Sequence, residues 1–590
     1  MSDPLRIANA SGFYGDRFSA MAEQISGGKI DVVTGDYLAE LTMLILWKAK
    51  QKSPESGYAV TFLNQMREVL SEVAQQGVKV VANAGGLNPA GLANDLRTIA
   101  KTLKVDVSVA HVEGDDLLPR LGDLIEKGHE FRNLDSGESL AGLTALPLTA
   151  NVYLGAWGIV EALERGADIV VTGRVADAAL VVGPAAWRHR WQRDDWNRLA
   201  GAVAAGHVLE CGTQATGGNF SFFREIADPR HPGFPIAEVA EDGSSVITKH
   251  IGTAGAVTVD TVTAQILYEI DDPAYRTPDV IAHFDTIQLE QVAQDRIALS
   301  GVRGSQAPEE LKVAINYLGG YRNSMTLVLV GLDAEAKATL VEETIRAELA
   351  GDRAPDVLEF AFTNGGEPDA NVNAEAASTL TITAMDADPL VVGRAFSAAV
   401  VELALGSYPG FFATAPPGGE SSYGVYWPAL VSRSVIHQEV VLEDGSRVGI
   451  SDPPHGEDAT DRDGEAEPRP PWEGATRPAP LGMVVGARSG DKGGNANIGV
   501  WTRSDGAYRW LLQELTTTRL QELLPETAPL RVDRYELPNI RGLNFVVHRL
   551  LGDGVASSTR FDPQAKSLGE WLRGRIVDIP ETLLTVNREW

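Results

Sequence analysis

The sequence predicts an α/β protein with a largely parallel, Rossmann-like sheet in its N-terminal region, an α+β middle portion and a small C-terminal α+β domain. Over residues 5–220, continuous β-branched runs alternate with amphipathic helical stretches, which is typical of a parallel sheet covered on both faces. Residues 245–450 instead show strand runs followed by helical runs. An acidic, proline-rich linker at 451–480 then separates residues 1–450 from residues 481–590, a segment of ordinary domain size.

Length and composition are those of a soluble globular protein. The chain has 590 residues, of which 44% are hydrophobic and 22% charged, so about two to four domains are expected. No apolar run reaches about 18 residues, so no membrane span is expected. The N-terminus lacks a basic segment followed by an apolar one, and the single cysteine, Cys211, rules out an intramolecular disulfide. These features predict a cytoplasmic protein.

The formal net charge of -29 limits the classes of partner. It disfavours nucleic acid, whose binding depends on Lys and Arg side chains that neutralise phosphates. A small anionic ligand stays possible, because a local site can be positive within an acidic surface. We expect a small-molecule substrate and a homo-oligomer, and neither a nucleic-acid nor a membrane partner.

The predicted elements of the N-terminal region alternate between strand and helix. Runs of Val and Ile predict the strands, and amphipathic stretches that follow turns predict the helices. The strands are predicted at 5–9, 30–34, 78–82, 105–109 and 169–171, and the helices at 37–50, 89–103 and 155–165. Since parallel sheets bind ligands beyond the carboxyl ends of their strands, the turns at those ends are the first place to look for a site.

The later elements follow the same reasoning. In the middle portion, strands are predicted at 246–248, 256–259, 286–289 and 324–330, and helices at 334–349 and 393–405. In the C-terminal domain, strands are predicted at 481–487, 498–502, 530–536 and 543–550, helices at 507–524 and 564–575, and a polar turn at 488–497. This order indicates a small α+β sandwich with its helices on one face.

Polar groups follow the second and third predicted strands. Asp36 comes directly after the second strand, and Asn83, Gly85, Gly86 and Asn88 follow the third. The glycines let a backbone approach a ligand, and the helix beyond offers free N–H groups to an anion. The spacing fits neither the dinucleotide-binding fingerprint nor the Walker loop. The alternative is a turn that only caps the helix.

Arg174 and Asp177 follow the fifth predicted strand. Arg174 could bind a carboxylate or phosphate with two parallel hydrogen bonds, and Asp177 could orient it or act as a base. The alternative is a local Arg–Asp pair that fixes the loop. The position at the same sheet edge as Asp36 and Asn83 favours a functional role.

Residues 207–219 form a second dense polar cluster. Glu210 is a candidate acid or base, and Gln214 and Asn219 are candidate donors to a substrate oxygen. Cys211 could be a nucleophile, although most lone cysteines are small buried hydrophobic residues.

The stretch 487–499 is rich in Gly, Asn, Asp, Ser and Lys. Such a stretch can gather backbone N–H groups and short side chains around a polar ligand, with Asp491, Lys492 and Asn495 as the binding groups. It could equally contact another domain, or form a hydrogen-bonded turn with Lys492 in solvent. The ten histidines show no HExxH motif or other zinc-type spacing. No cofactor is identified, and a divalent cation held by Asp or Glu stays open.

Six ordered motifs together resemble the acyclic terpene utilization AtuA family. They lie at residues 12–17, 36–40, 83–89, 172–177, 210–219 and 489–495. The resemblance covers residues 5 to about 450 and implies a C-terminal ferredoxin-like AtuA domain from about residue 480. It also implies a place in the breakdown of citronellol- and geraniol-type branched chains, which proceeds through CoA thioesters.

These observations lead to two hypotheses of function. The first is an enzyme of branched acyl-CoA or carboxylic acid catabolism, of the lyase or hydratase type, without a redox cofactor. In it, the catalytic groups would be Asp36, Asp177 and Glu210, and the substrate-binding groups would be Asn83, Gly85, Gly86, Asn88, Arg174, Gln214, Asn219, Asp491, Lys492 and Asn495. The second is a non-catalytic binding or assembly subunit of such a pathway.

Overall fold

The computed structural model describes residues 3–456, 472 and 474–586. Its largest element is an eleven-stranded sheet, and the five central strands of that sheet are parallel. In spatial order these strands are Leu5–Asn9, Val32–Gly35, Lys79–Ala82, Ile169–Thr172 and Val109–Glu113. They are short, β-branched and almost fully buried, as expected for strands covered on both faces.

Antiparallel strands extend this sheet at both edges, so the sheet is mixed. One edge carries Pro235–Val239, Ser245–Lys249, Arg296–Ser300 and Gln288–Ala293, and the other carries Glu439–Val441 and Arg447–Gly449. The prediction of a largely parallel, Rossmann-like sheet is corrected in this respect. Strands from the middle of the chain pair with both edges of the parallel centre. The local pattern of residues 5–220 does not predict this pairing, because the added strands lie outside those residues.

Helices cover both faces of the parallel centre. Successive strand residues point to opposite faces, so Val32 packs in one core cluster and Val33 in the other. Helices Ala20–Ser26, Val60–Gln76 and Pro89–Leu103 cover one face, and Trp157–Glu164, Ala179–His189 and Trp196–Leu209 cover the other. The remaining helices of the first region are Glu40–Lys52 and Leu121–Glu126.

A second, antiparallel sheet is built around the 21-residue strand Glu310–Val330. Its other strands are Pro147–Val152, Val357–Thr363, Ala377–Asp386, Phe412–Ala413 and Ser421–Ser432. Helices Ala334–Glu348 and Phe396–Gly406 pack on it. Because Pro147–Val152 comes from the N-terminal region, that region contributes strands to both sheets.

Smaller elements connect the sheets. A three-stranded sheet holds Ala274–Arg276, Ile281–His283 and Arg303–Ser305, and Ala307–Pro308 pairs with His455–Gly456. The strand predicted at 256–259 is wrong, because a helix starts there and spans Val259–Ile266. Its N-cap is Thr258, whose hydroxyl accepts a hydrogen bond from the Thr261 N–H at 3.1 Å.

The C-terminal domain has a four-stranded antiparallel sheet with helices on it. In spatial order its strands are Gly486–Lys492, Asn495–Trp501, Gly542–Val547 and Val532–Leu537. Helices Asp505–Glu514, Thr517–Leu523 and Leu568–Arg573 follow in the chain, and Thr476–Pro480 pairs with Ile576–Pro580 before the last helix, Glu581–Val586. The predicted turn at 488–497 is therefore a β-hairpin whose turn is only Gly493 and Gly494.

The predicted linker at 451–480 is described only at its two ends, and residues 457–471 and 473 lie outside the described residues. Across the part of the chain that the structure describes, no helix is both long enough and apolar enough to cross a bilayer.

Candidate active site

A cavity of about 1080 Å³ lies where the three parts of the chain meet. The first region contributes the loop after strand Ile169–Thr172 and the end of helix Trp196–Leu209. The middle portion contributes residues 269–278 and the start of strand Glu310–Val330, and the C-terminal domain contributes its hairpin. A cavity of this size at a domain junction is the typical setting of a small-molecule site.

Arg174 is held at the wall of this cavity. Its backbone N–H donates to Asp115 Oδ2 at 2.8 Å, and its guanidinium lies 4.3 Å above the Tyr153 ring. Arg174 Nη1 also donates to the Leu38 carbonyl and lies 3.2 Å from Asp177 Oδ1. The Arg–Asp pair thus fixes the loop and also places both charged groups at the cavity.

Asp36 lies behind that pair and does not line the cavity. Its Oδ1 accepts hydrogen bonds from Asn83 Nδ2 at 2.6 Å and from the Leu38 N–H at 3.1 Å. Burial raises the pKa of Asp36 well above its usual value, the charge of Asp177 adds to the rise, and Arg174 opposes it. Asp36 is therefore coupled electrostatically to two charged residues that line the cavity, Arg174 and Asp177.

The turn after the third strand is also outside the cavity lining. Asn83 Oδ1 accepts from the Tyr37 N–H at 2.7 Å, and Asn88 caps helix Pro89–Leu103 by accepting from the Gly91 N–H at 3.0 Å. A side chain at Gly85 or Gly86 would collide with neighbouring atoms. The contacts of this turn are those of a helix-capping turn packed beside the sheet.

Glu210 lies at the end of helix Trp196–Leu209 and lines the cavity. Its Oε1 is 3.0 Å from Nδ1 of the fully buried His207, whose ring packs against Tyr275 and Phe284. Burial raises the pKa of Glu210 to about 7, although His207 opposes this rise. No hydrogen-bond partner for Glu210 Oε2 occurs within the described ranges. This carboxyl can therefore carry a proton at neutral pH.

Gln214 and Asn219 do not line the cavity but join two domains. Arg488 of the C-terminal hairpin donates to Gln214 Oε1 and, at 3.2 Å, to the Asn219 carbonyl. Loss of water around the half-buried Cys211 raises the pKa of its thiol well above the usual value. The thiol form is a weak nucleophile, so the environment does not activate Cys211.

The hairpin residues Asp491, Lys492 and Asn495 both line the cavity and bridge domains. Lys492 Nζ donates to the Glu269 carbonyl at 2.7 Å, and Asn495 Nδ2 donates to Asp135 Oδ1 at 2.9 Å. Asp491 Oδ1 lies 3.0 Å from Lys566 Nζ within its own domain. The stretch therefore contacts other domains, and its role as a ligand site stays a prediction.

Several lining residues were not predicted from the sequence. Lys312 interrupts an apolar strand, and its ammonium lies 5.1 Å from the Tyr153 ring and 5.8 Å from the Tyr426 ring. That lone lysine, and a histidine three residues before Glu210 on an apolar helix, were available signals. Tyr153 and Tyr426 gave no local signal, since they meet only through the pairing of distant strands.

The cavity lining is strongly acidic. Its basic side chains are Arg174, Arg276, Lys312 and Lys492, and its acidic side chains are Asp135, Asp177, Glu210, Glu269, Asp271, Asp272, Glu309, Glu310, Asp491 and Asp533. Nowhere in the described residues do three or more His, Cys, Asp or Glu side chains form a group suited to a metal ion.

Fold and site together define a multidomain α/β protein with a cavity lined by ionisable side chains at its domain junction. The family model described as acyclic terpene utilisation family protein AtuA matches residues 5–442, and the model of the AtuA ferredoxin-like domain matches residues 479–578. The chain belongs to the AtuA family and ends in the ferredoxin-like domain of that family. No curated protein and no solved structure matches the chain.

Proposed function

We propose that the chain is an enzyme of acyclic terpene breakdown that adds water to, or removes water from, a branched substrate in the interdomain cavity. The observation that carries the proposal is Glu210, a cavity-lining carboxyl whose pKa is raised to about 7 and whose Oε2 lacks a hydrogen-bond partner among the described residues. The family name supports the pathway, because acyclic terpenes are branched chains.

Two of the carboxyl groups that line the cavity, Glu210 and Asp177, have environments suited to different roles. Glu210 is buried beside His207, so it can be protonated at neutral pH and donate that proton. Asp177 is partly exposed and paired with Arg174, so it is available as the carboxylate that accepts a proton. Hydration and dehydration need one acid and one base, and exchange only water with the substrate.

The direct test is product formation on a panel of branched alcohols, hydroxy acids and hydroxyacyl thioesters, followed by mass spectrometry. We expect loss or gain of one water from at least one compound. Glu210→Gln and Asp177→Asn should each lower the rate by about 100-fold or more. The control is Glu342→Gln, which removes a partly exposed carboxylate that pairs with Arg346 on its own helix.

Two outcomes would contradict the proposal. If no compound is converted, but some raise the melting temperature, the cavity belongs to the binding subunit of the second hypothesis. If turnover survives both substitutions, the acid–base roles are wrong.

A further inference from the structure

We propose that the reacting carbon in this cavity belongs to a tertiary alcohol or a trisubstituted alkene and becomes positively charged in the transition state, and that the substrate carries no CoA. This inference rests on the proposed hydration–dehydration activity and names its substrate class. It comes from the charges and rings that line the cavity.

The negative charge of the cavity lining disfavours a substrate that carries CoA. Apart from Glu210, which the proposed reaction uses in its protonated form, nine acidic side chains line the cavity against four Lys or Arg side chains. The phosphates of CoA are multiply negative, so their entry would place like charges together in a partly desolvated space. Positive charge that develops on a substrate carbon would be stabilised by the same lining.

The basic side chains already have protein partners, which argues against a phosphate clamp. Arg276 Nη1 lies 2.6 Å from Asp272 Oδ2, and Arg174 pairs with Asp177. Lys492 donates to a backbone carbonyl and lies 3.8 Å from Asp271 Oδ2. A phosphate would have to displace these contacts.

Positively charged side chains lie against the tyrosine rings that line the cavity. The Arg174 guanidinium and the Lys312 ammonium both lie against Tyr153, at 4.3 and 5.1 Å from the ring centroid. Lys492 lies 5.8 Å from the centroid of Tyr275. Ring faces attract positive charge through their quadrupole, so the ring faces at this cavity favour a positive over a negative group.

An anionic transition state, such as an enolate, would need hydrogen-bond donors for its oxygen. Three side-chain amides of the candidate site already donate to other protein groups. Asn83 Nδ2 donates to Asp36, and Asn88 Nδ2 donates to the Glu55 carbonyl, both away from the cavity lining. The side-chain amide that does line the cavity, Asn495, donates to Asp135. The lining thus favours a cationic over an anionic transition state.

The dehydration step balances with two residues. The Glu210 carboxyl gives its proton to the substrate hydroxyl, and the C–O bond breaks with its electron pair leaving on water. The tertiary carbon is then cationic. The Asp177 carboxylate takes a proton from the adjacent carbon, and the electron pair of that C–H bond forms the alkene. The proton on Asp177 returns to Glu210 through solvent, and hydration is the reverse.

The test compares three compounds of one carbon skeleton: an acyclic tertiary alcohol, its analogue with CF₃ in place of a methyl on the carbinol carbon, and a 3-hydroxyacyl-CoA. Each is incubated with full-length enzyme in ¹⁸O-labelled water. We expect ¹⁸O exchange into the alcohol, and a rate about 1000-fold lower for the CF₃ analogue, since each tenfold loss is about 1.4 kcal/mol of transition-state free energy.

The outcomes separate this inference from the proposed function. Exchange into the hydroxyacyl-CoA but not the tertiary alcohol, or a CF₃ analogue that exchanges as fast as its parent, would overturn the inference and leave hydration–dehydration standing. Exchange into none of the three would contradict the proposed function itself.

Reversal of the rim charge gives a second readout. Glu309 and Glu310 are exposed at the rim, and the double substitution E309K/E310K should slow exchange into the tertiary alcohol by about 10-fold at low salt. High salt should remove most of that difference. The matched control is E342K on helix Ala334–Glu348, which contributes no residue to the cavity lining. An E309K/E310K variant as fast as the E342K control at low salt would contradict the electrostatic argument.

Discussion

At the residue scale, the surroundings of Glu210 decide its chemistry. Burial raises the pKa of this carboxyl to about 7, and the neighbouring His207 lowers it. A glutamate in water is ionised at neutral pH and cannot serve as an acid there. The sequence identified Glu210 as an acid or base, but which of the two it is depends on the buried histidine and the depth of the cavity.

The activity should fall as pH rises through about 7, because Glu210 acts in its protonated form. His207→Phe should move this falling limb to higher pH, since the substitution removes a group that favours the carboxylate. The measurement is kcat/KM against pH for both proteins, with the exposed His437→Phe as the control. If kcat/KM falls at the same pH in His207→Phe as in the wild type, the effect assigned to His207 on Glu210 is contradicted.

Gly173→Ala should disturb the Arg174 loop. A Cβ at this position would collide with the Asp115 carboxylate, which accepts the Arg174 N–H. We expect a loss of stability of about 1–3 kcal/mol, as for overpacking in a core, and a lower kcat/KM.

The matched control is Gly122→Ala. Gly122 lies in helix Leu121–Glu126, and a Cβ there meets no atom within 4 Å. Alanine favours helix over glycine by about 1 kcal/mol, so this control should be neutral or stabilising. Equal denaturation midpoints for the two variants would count against the role of Gly173.

At the element scale, the hairpin Gly486–Lys492 and Asn495–Trp501 shows why polar composition misled the prediction. Gly, Asn, Asp and Ser usually mark turns, so the sequence predicted a turn at 488–497. Here the polar side chains are satisfied by other domains: the Glu269 N–H donates to Asn497 Oδ1 at 2.9 Å. Polar strand residues are stable when such partners exist, and partners distant in the chain leave no local pattern.

Asn544→Ala should loosen the contact between the C-terminal sheet and the middle portion. Asn544 is fully buried, and its amide donates to the Ile270 and Asp271 carbonyls. The loss of this amide leaves the buried Ile270 carbonyl without its donor, at about 1–3 kcal/mol. Chemical denaturation checks this, with Asn94→Ala on an exposed helix surface expected to change stability by about 0.5 kcal/mol or less. An equal effect of both substitutions would contradict the bridging role.

At the scale of the whole molecule, three buried carboxyl groups tie stability to pH. Burial raises the pKa of Asp115 to about 7, of Glu210 to about 7 and of Asp279 to about 6. In the unfolded chain these groups titrate near pH 4. The folded state therefore binds more protons than the unfolded chain between about pH 4 and pH 7. The stability that these three groups contribute is lost as pH rises through that window.

We accordingly expect a higher melting temperature at about pH 5 than at about pH 8. Repulsion from the net charge of -29 acts in the same direction, but salt screens it, whereas buried groups are screened much less. The difference should therefore persist at high salt and shrink in Asp115→Asn. A melting temperature that rises from pH 5 to pH 8 at high salt would contradict this account.

The parts of the molecule that the sequence predicted well are local. Four of the five parallel strands and helix Pro89–Leu103 follow from β-branched runs and a Pro start. The strand predicted at 105–109 is displaced, since the observed strand is Val109–Glu113. The antiparallel edges of the main sheet and the junction cavity arise from contacts between segments hundreds of residues apart, such as Lys492 with Glu269. For this reason Glu210 and Arg174 could be identified, but not the Tyr153 and Lys312 that share their cavity.

The central claim is that Glu210 is the proton donor of a hydration–dehydration reaction in the interdomain cavity. Its most direct test is the rate of ¹⁸O exchange from labelled water into an acyclic tertiary alcohol, measured for wild type, Glu210→Gln and the control Glu342→Gln, which lies outside the cavity lining. We predict equal exchange in wild type and control and a rate lower by about 100-fold or more in Glu210→Gln. Exchange in Glu210→Gln at the wild-type rate would contradict the claim.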